Sequence, residues 1–115
     1  MSSSVPFKFT TTASTNLLPV GSADQGGNLK GISVANVATA MFIKFYWTNT
    51  APTVGTTVPN LTVPVPANTL AFGPIVSWSD GVTGNGQLWV AVTAAAADGD
   101  SANAAAGAVV TLLVE

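Results

Sequence analysis

The sequence contains no cysteine, no histidine and no arginine. Without cysteine there is neither a disulfide framework nor a thiol nucleophile. Without histidine there is no imidazole base, no histidine metal ligand and no Ser-His-Asp triad. Without arginine there is no bidentate clamp for a phosphate or an oxyanion. Charge of either sign is scarce: 7% of residues carry it, against about 25% in an ordinary domain. The cations are Lys8, Lys30 and Lys44, and the formal net charge is −2. Nucleic-acid phosphates attract clustered Lys and Arg, so no nucleic-acid partner is expected. No apolar run approaches the roughly 18 residues of a membrane helix, so no membrane partner is expected. Met1 to Pro6 lacks the basic and apolar regions of a signal peptide.

The acids are Asp24, Asp80, Asp98, Asp100 and Glu115. All fall in turn-forming stretches or at the end of the sequence, where carboxylates are solvated rather than paired for catalysis. The expectation is a protein that is not an enzyme, with no catalytic residues and no cofactors. Asp98-Gly99-Asp100 with Asn103 offers oxygen ligands of the kind calcium takes. The loop spacing fails, because Ala102 stands where Asp or Asn belongs and no Glu closes the loop. Asp and Gly also favour turns without a metal, so no metal site is expected. Tyr46, Trp78 and Trp89 are the aromatics that would stack on a sugar ring in a carbohydrate-binding module. Aromatics more often serve a core or an interface. Asn60-Leu61-Thr62 matches the N-glycosylation pattern and is read as chance.

What the sequence does have is strand chemistry. Its 115 residues suit one domain, and 48% of them are hydrophobic. Thr, Ser, Asn and Gly take the polar positions, a surface that charge does little to keep from self-association. Much of it is expected to be covered by other protein. Val5, Phe7 and Phe9 alternate with Pro6, Lys8 and Thr10, a β-type arm over residues 1–12 ahead of a β-sandwich over 13–115. Asn28 to Asn36 and Met41 to Trp47 both alternate and read as a hairpin. On the second, Met41, Ile43, Phe45 and Trp47 form the core face. Phe42, Lys44 and Tyr46 form another, more apolar than a solvent face should be.

Residues 51–58 read as a loop around Gly55. Asn60 to Pro66 reads as an edge strand whose prolines, Pro64 and Pro66, remove donors from one side. Leu70 and Phe72, with Pro74 to Val76, suggest a further short strand. Ser79-Asp80-Gly81 and Gly84-Asn85-Gly86 read as turns. Gln87 to Thr93 alternates, with Leu88, Val90 and Val92 inside. Ala108 to Val114 is apolar on both faces and reads as central. The alanine-rich stretch between these two strands has runs too short to hold as helices and reads as a hairpin loop. The fold class expected is all-β, a single-domain antiparallel sandwich or jelly-roll-like barrel of about seven to eight short strands.

Two segments together resemble small virion structural proteins of tailed bacteriophages. The first runs from Leu29-Lys30-Gly31-Ile32-Ser33-Val34-Ala35-Asn36 through Phe42-Ile43-Lys44-Phe45-Tyr46 to Ala51-Pro52-Thr53-Val54-Gly55-Thr56. It ends in Leu61-Thr62-Val63-Pro64-Val65-Pro66-Ala67. The second is Ala94 to Asp100 with the Ala108 to Val114 strand. The resemblance implies a non-enzymatic virion protein, made in the host bacterial cytoplasm and located at the capsid surface. It favours a capsid decoration (cement) protein, often a trimer, whose partners are itself and the major capsid protein. A tail, neck or fibre-associated component is the alternative within that class. A carbohydrate-binding β-sandwich module is the alternative outside it.

The interface candidates are Val5, Phe7, Phe9, Phe42, Tyr46, Pro64 and Pro66. Val5 to Thr12 either pairs with a neighbouring chain by strand addition or closes the protein's own sheet. Phe42 and Tyr46 either form a trimer seam or are buried under a second sheet.

Overall fold

The computed structural model describes residues 5–20, 27–67, 74–84 and 86–115. These form eight strands: β1 (Val5–Thr10), β2 (Leu18–Val20), β3 (Leu29–Ala35), β4 (Met41–Trp47), β5 (Leu61–Val65), β6 (Pro74–Val82), β7 (Leu88–Thr93) and β8 (Val109–Val114). They make two four-stranded sheets, sheet A in the order β1-β8-β3-β6 and sheet B in the order β2-β7-β4-β5. Every pairing is antiparallel. Among these strands only β4 and β5 follow one another within a sheet, and every other connection crosses to the opposite sheet. Eight antiparallel strands in these two orders make a jelly roll, and the expected all-β class holds.

Period-two alternation builds the core. Met41, Ile43, Phe45 and Trp47 of β4, Leu88, Val90 and Val92 of β7, and Val63 and Val65 of β5 line the inner face of sheet B. Leu29, Ile32 and Val34 of β3 with Val110 and Leu112 of β8 line that of sheet A. Burying each such side chain stabilises the fold by about 1.5–3 kcal/mol. Trp47 also donates its indole Nε1–H to the Gly27 carbonyl at 2.7 Å, so its polar end is satisfied inside.

Three expectations about connections are corrected. β3 and β4 are not a hairpin. Their apolar faces meet across the core, β3 in sheet A and β4 in sheet B. The linker arches over with Asn36 at φ 63 and Val37 buried beneath it. The alanine-rich stretch is not a hairpin loop either, because β7 and β8 belong to opposite sheets. It folds back once, Thr93 bridging to Asn103, and then crosses through Ala104 and Ala108, both buried. Ser79-Asp80-Gly81 is not a turn but an irregular part of β6. Pairing jumps from Gly31 with Ser77 to Leu29 with Val82, and Gly81 takes φ 79. That left-handed backbone suits a residue without Cβ.

β8 is central as expected, between β1 and β3. Its second apolar row nonetheless stays open, with Leu113 43% exposed. Leu70 and Phe72, residues 21–26, and Asn85 lie outside the described residues.

Candidate interaction surfaces

The middle of the outer face of sheet B is covered by the chain itself. Phe42, Lys44 and Tyr46 of β4 stand there, beside Thr62 and Pro64 of β5 and Trp89, Ala91 and Thr93 of β7. Two loops close over Lys44 and Tyr46, while Phe42 is half-buried and Pro64 exposed. In the loop 94–103, Asp100 donates its N–H to the Ala97 carbonyl at 2.9 Å, closing a turn around Asp98-Gly99. The Asp100 carboxylate accepts the N–H groups of Ala95 (3.0 Å) and Ala102 (3.3 Å). The Lys44 ammonium reaches up beneath this turn and donates to the carbonyls of Ala97 (2.7 Å) and Asp100 (3.2 Å). A lysine with no exposed surface therefore satisfies its charge on backbone oxygens.

The loop 48–60 lies alongside. Thr53 accepts the N–H groups of Thr56 and Thr57 on its carbonyl and donates its own N–H to the Thr57 hydroxyl. Gly55, at φ 92, sits where a Cβ would come 3.0 Å from Ser101 Cβ. The two loops are thus in contact. The Tyr46 side chain is 1% exposed under this cover, and its hydroxyl has no hydrogen-bond partner among the described residues. Burial, with the negative charge of Asp98 as a second cause, holds its pKa above the usual phenol value of 10.0.

The outer face of sheet A is different. Register places Pro6, Lys8 and Thr10 of β1, Val109, Thr111 and Leu113 of β8, and Gly31, Ser33 and Ala35 of β3 on it. Pro6, Lys8, Thr10 and Leu113 are exposed, and Val109, Thr111, Ser33 and Ala35 are half-buried. Lys8 is the one charge in that set. The result is a charge-poor surface of mostly small side chains around one leucine.

The sheet edges follow from the hydrogen-bond phase. Thr11 donates its N–H to the Ala108 carbonyl in step with the β1–β8 register. Asn28 and Glu115 exchange both backbone bonds on the other side of β8. The two agree: the backbone groups of Val5, Phe7 and Phe9 face β8, and those of Pro6, Lys8 and Thr10 face outward. In sheet B, Thr48 donates to the Gln87 carbonyl in the β4–β7 register. Leu61, Val63 and Val65 therefore face β4, while Thr62, Pro64 and Pro66 face outward. Leu18 and Val20 face β7, and Pro19 faces outward. Pro6, Pro19 and Pro64, like Pro66 beyond β5, thus stand where an N–H would have pointed away from the sheet. The proline-blocked edge expected of Asn60 to Pro66 is the open side of β5.

The expected site residues separate in space. Val5–Thr10 is the edge strand of sheet A, paired with β8 throughout, and belongs to the sandwich rather than to a free arm. Val5 is 63% exposed. Phe7 and Phe9 are half-buried against the core, their ring centroids 6.1 Å apart. Phe42 is half-buried, and Tyr46 lies under loops, not under a second sheet, and offers no surface to a neighbour. Pro64 and Pro66 are exposed. Of the other sugar-stacking candidates, Trp78 packs against the core. Trp89 donates its Nε1–H to the Thr48 carbonyl at 3.0 Å.

Sequence reasoning missed Lys8 and Thr10 as an edge and Thr111 and Leu113 as a face. The signal for the second was present in β8, whose apolar residues fall on both sides. No group of three or more metal-ligating side chains occurs among the described residues. Compared with known proteins, the chain matches no family model, no curated protein and no solved structure.

Proposed function

We propose that this protein is a non-enzymatic structural component of a bacteriophage particle, a capsid decoration protein that binds the assembled head and stabilises it. The observation that carries the reading is the charge-poor outer face of sheet A, where Val109, Thr111, Leu113 and Ala35 surround a single charge, Lys8. Such a face loses little on desolvation when another protein covers it. The resemblance of the Leu29 to Ala67 and Ala94 to Val114 segments to small phage virion proteins supports the same reading and supplies the partner, the major capsid protein. A jelly roll by itself supports no particular role, since the fold hosts many.

A protein that binds the assembled lattice and not the free subunit favours the lattice by linkage. Added to heads that lack it, this protein is expected to co-sediment with them and to raise their disruption temperature. Failure to sediment with intact heads, or binding to free capsid subunits alone, overturns the reading. Copy number separates the tail, neck or fibre alternative: decoration requires many copies per particle, a tail or neck component few.

A further inference from the structure

We infer that the open edge of β1 joins two copies of this chain about a two-fold axis, Lys8 of each pairing with Thr10 of the other. The inference does not depend on the virion reading.

It begins with how unequal the four sheet edges are. β2 has three residues, and its outward-facing position is Pro19. β5 turns Pro64 outward, with Pro66 beyond it, leaving Thr62 as its outward donor. β6 is broken by two register shifts and by the left-handed Gly81. Proline, shortness and bulges are the devices by which an edge is denied to other strands. β1 carries one of them, Pro6, at its start. Beyond it β1 pairs with β8 in unbroken register, and Lys8 and Thr10 keep both N–H and C=O facing outward. This is the pairing-competent stretch of edge that the other strands lack.

The side chains beside it fit the same occupant. On the inner face of β1, Val5 is 63% exposed and Phe7 and Phe9 are half-buried. A strand added here covers that row if it carries apolar residues at alternate positions. Another β1 does so.

Backbone phase then fixes the register. In an antiparallel pair, outward groups must meet outward groups. Lys8 against Lys8 sets two ammonium groups side by side, which is destabilising. Lys8 against Pro6 loses a bond, since proline has no N–H. Lys8 against Thr10 completes both N–H···O=C bonds at each of the symmetric pairs and sets Phe9 against Phe9 of the second copy. Pro6 then ends the ladder. The contact is self-complementary and closes at two copies, which departs from the trimer that the resemblance implies.

Thr10→Pro tests this with little risk to the fold. It removes an outward N–H as Pro6 does, leaves every β1–β8 bond in place, and follows Phe9, whose extended backbone tolerates a proline after it. Light scattering coupled to size exclusion, over a concentration series, should give twice the 11.5 kDa chain mass for the wild type and for a Thr62→Pro control on β5. Thr10→Pro should give the single-chain mass. The Lys8 and Thr10 amides should exchange with deuterium at least ~10-fold more slowly in the concentrated wild type than after dilution, as paired edge amides do.

A single-chain or three-chain mass for the wild type overturns the inference. So does a dimer that survives Thr10→Pro, and so does fast exchange at Lys8 and Thr10 within a wild-type dimer. If Thr10→Pro does not fold, wild-type exchange at these two amides decides the matter alone.

Discussion

The two outer faces of this sandwich solve the same problem in opposite ways. Both carry more apolar surface than a solvated sheet usually does. Sheet B hides most of its surplus: Lys44 and Tyr46 lie buried beneath the loops 48–60 and 94–103, and Lys44 fastens the second from below. Sheet A leaves its surplus in view, with Leu113 at 43% exposure amid Thr, Ser and Ala. Similar strand chemistry therefore yields one face largely covered by the chain's own loops and one left more open. Whether an apolar outer row marks an interface depends on what the connecting loops do, and strand patterning alone does not disclose that.

Substitutions should separate the two faces by what they damage. The largest effect is expected at Lys44. Lys44→Ala removes the donor to two carbonyls and leaves a cavity, and should cost about 3 kcal/mol in urea unfolding. Protease cuts between residues 94 and 103 should appear at the same time. A Lys44→Met variant as stable as the wild type would show that the stem, not the charge, fastens the loop. Gly55→Ala comes next, at about 1–2 kcal/mol, from its left-handed backbone and the approach of Ser101. A loss well under that range would mean the two loops give way easily at their contact.

Tyr46→Phe should change stability in the other direction. It removes a buried hydroxyl without a partner and should raise stability by up to about 1 kcal/mol. It should also alter the alkaline limb. Below pH 10.0, the ordinary phenol value, folded and unfolded chains both keep the proton. Above it the unfolded chain loses the proton first, because the folded pKa is raised, so stability falls as pH climbs toward the folded value. The Phe variant should lack that component of the fall. An unchanged alkaline limb would mean that Tyr46 is hydrated in solution. The smallest effect on folding is expected at Leu113→Lys, within about 0.5 kcal/mol. It should nonetheless abolish co-sedimentation with heads, and a variant that still binds would move the partner surface away from sheet A.

β1, β3, β4, β5, β7 and β8 were legible because alternating apolar rows mark them, whereas three-residue β2 and the second half of β6 were not. The blocked edge at β5 was legible because proline fails at a defined backbone phase. The connections were not. Five residues between Ala35 and Met41 suit a return within one sheet as well as an arch across two, and Asn36 carries no unambiguous signal for the left-handed turn it makes. Ser79-Asp80-Gly81 has the composition of a turn and the setting of a bulge, and only the partner strand decides between them. The Phe42, Lys44 and Tyr46 row was legible as anomalous. Its cover came from loops distant in sequence, a tertiary fact with no local signature. The outward phase of Lys8 and Thr10 was likewise hidden, since it depends on which neighbour β1 acquires.

The position of β8 in its sheet also governs the order in which the molecule can be made. β8 lies between β1 and β3, yet of the eight described strands it is synthesised after the other seven. Until it emerges, β1 has no partner and β3 pairs on one side only, whereas all of sheet B is already available to pair. Sheet A therefore forms late and through the most distant contacts in the chain, the kind that slow folding most. A nascent chain stalled before Val109 would hold a finished sheet B over a core half uncovered, a species for chaperones and proteases to sort.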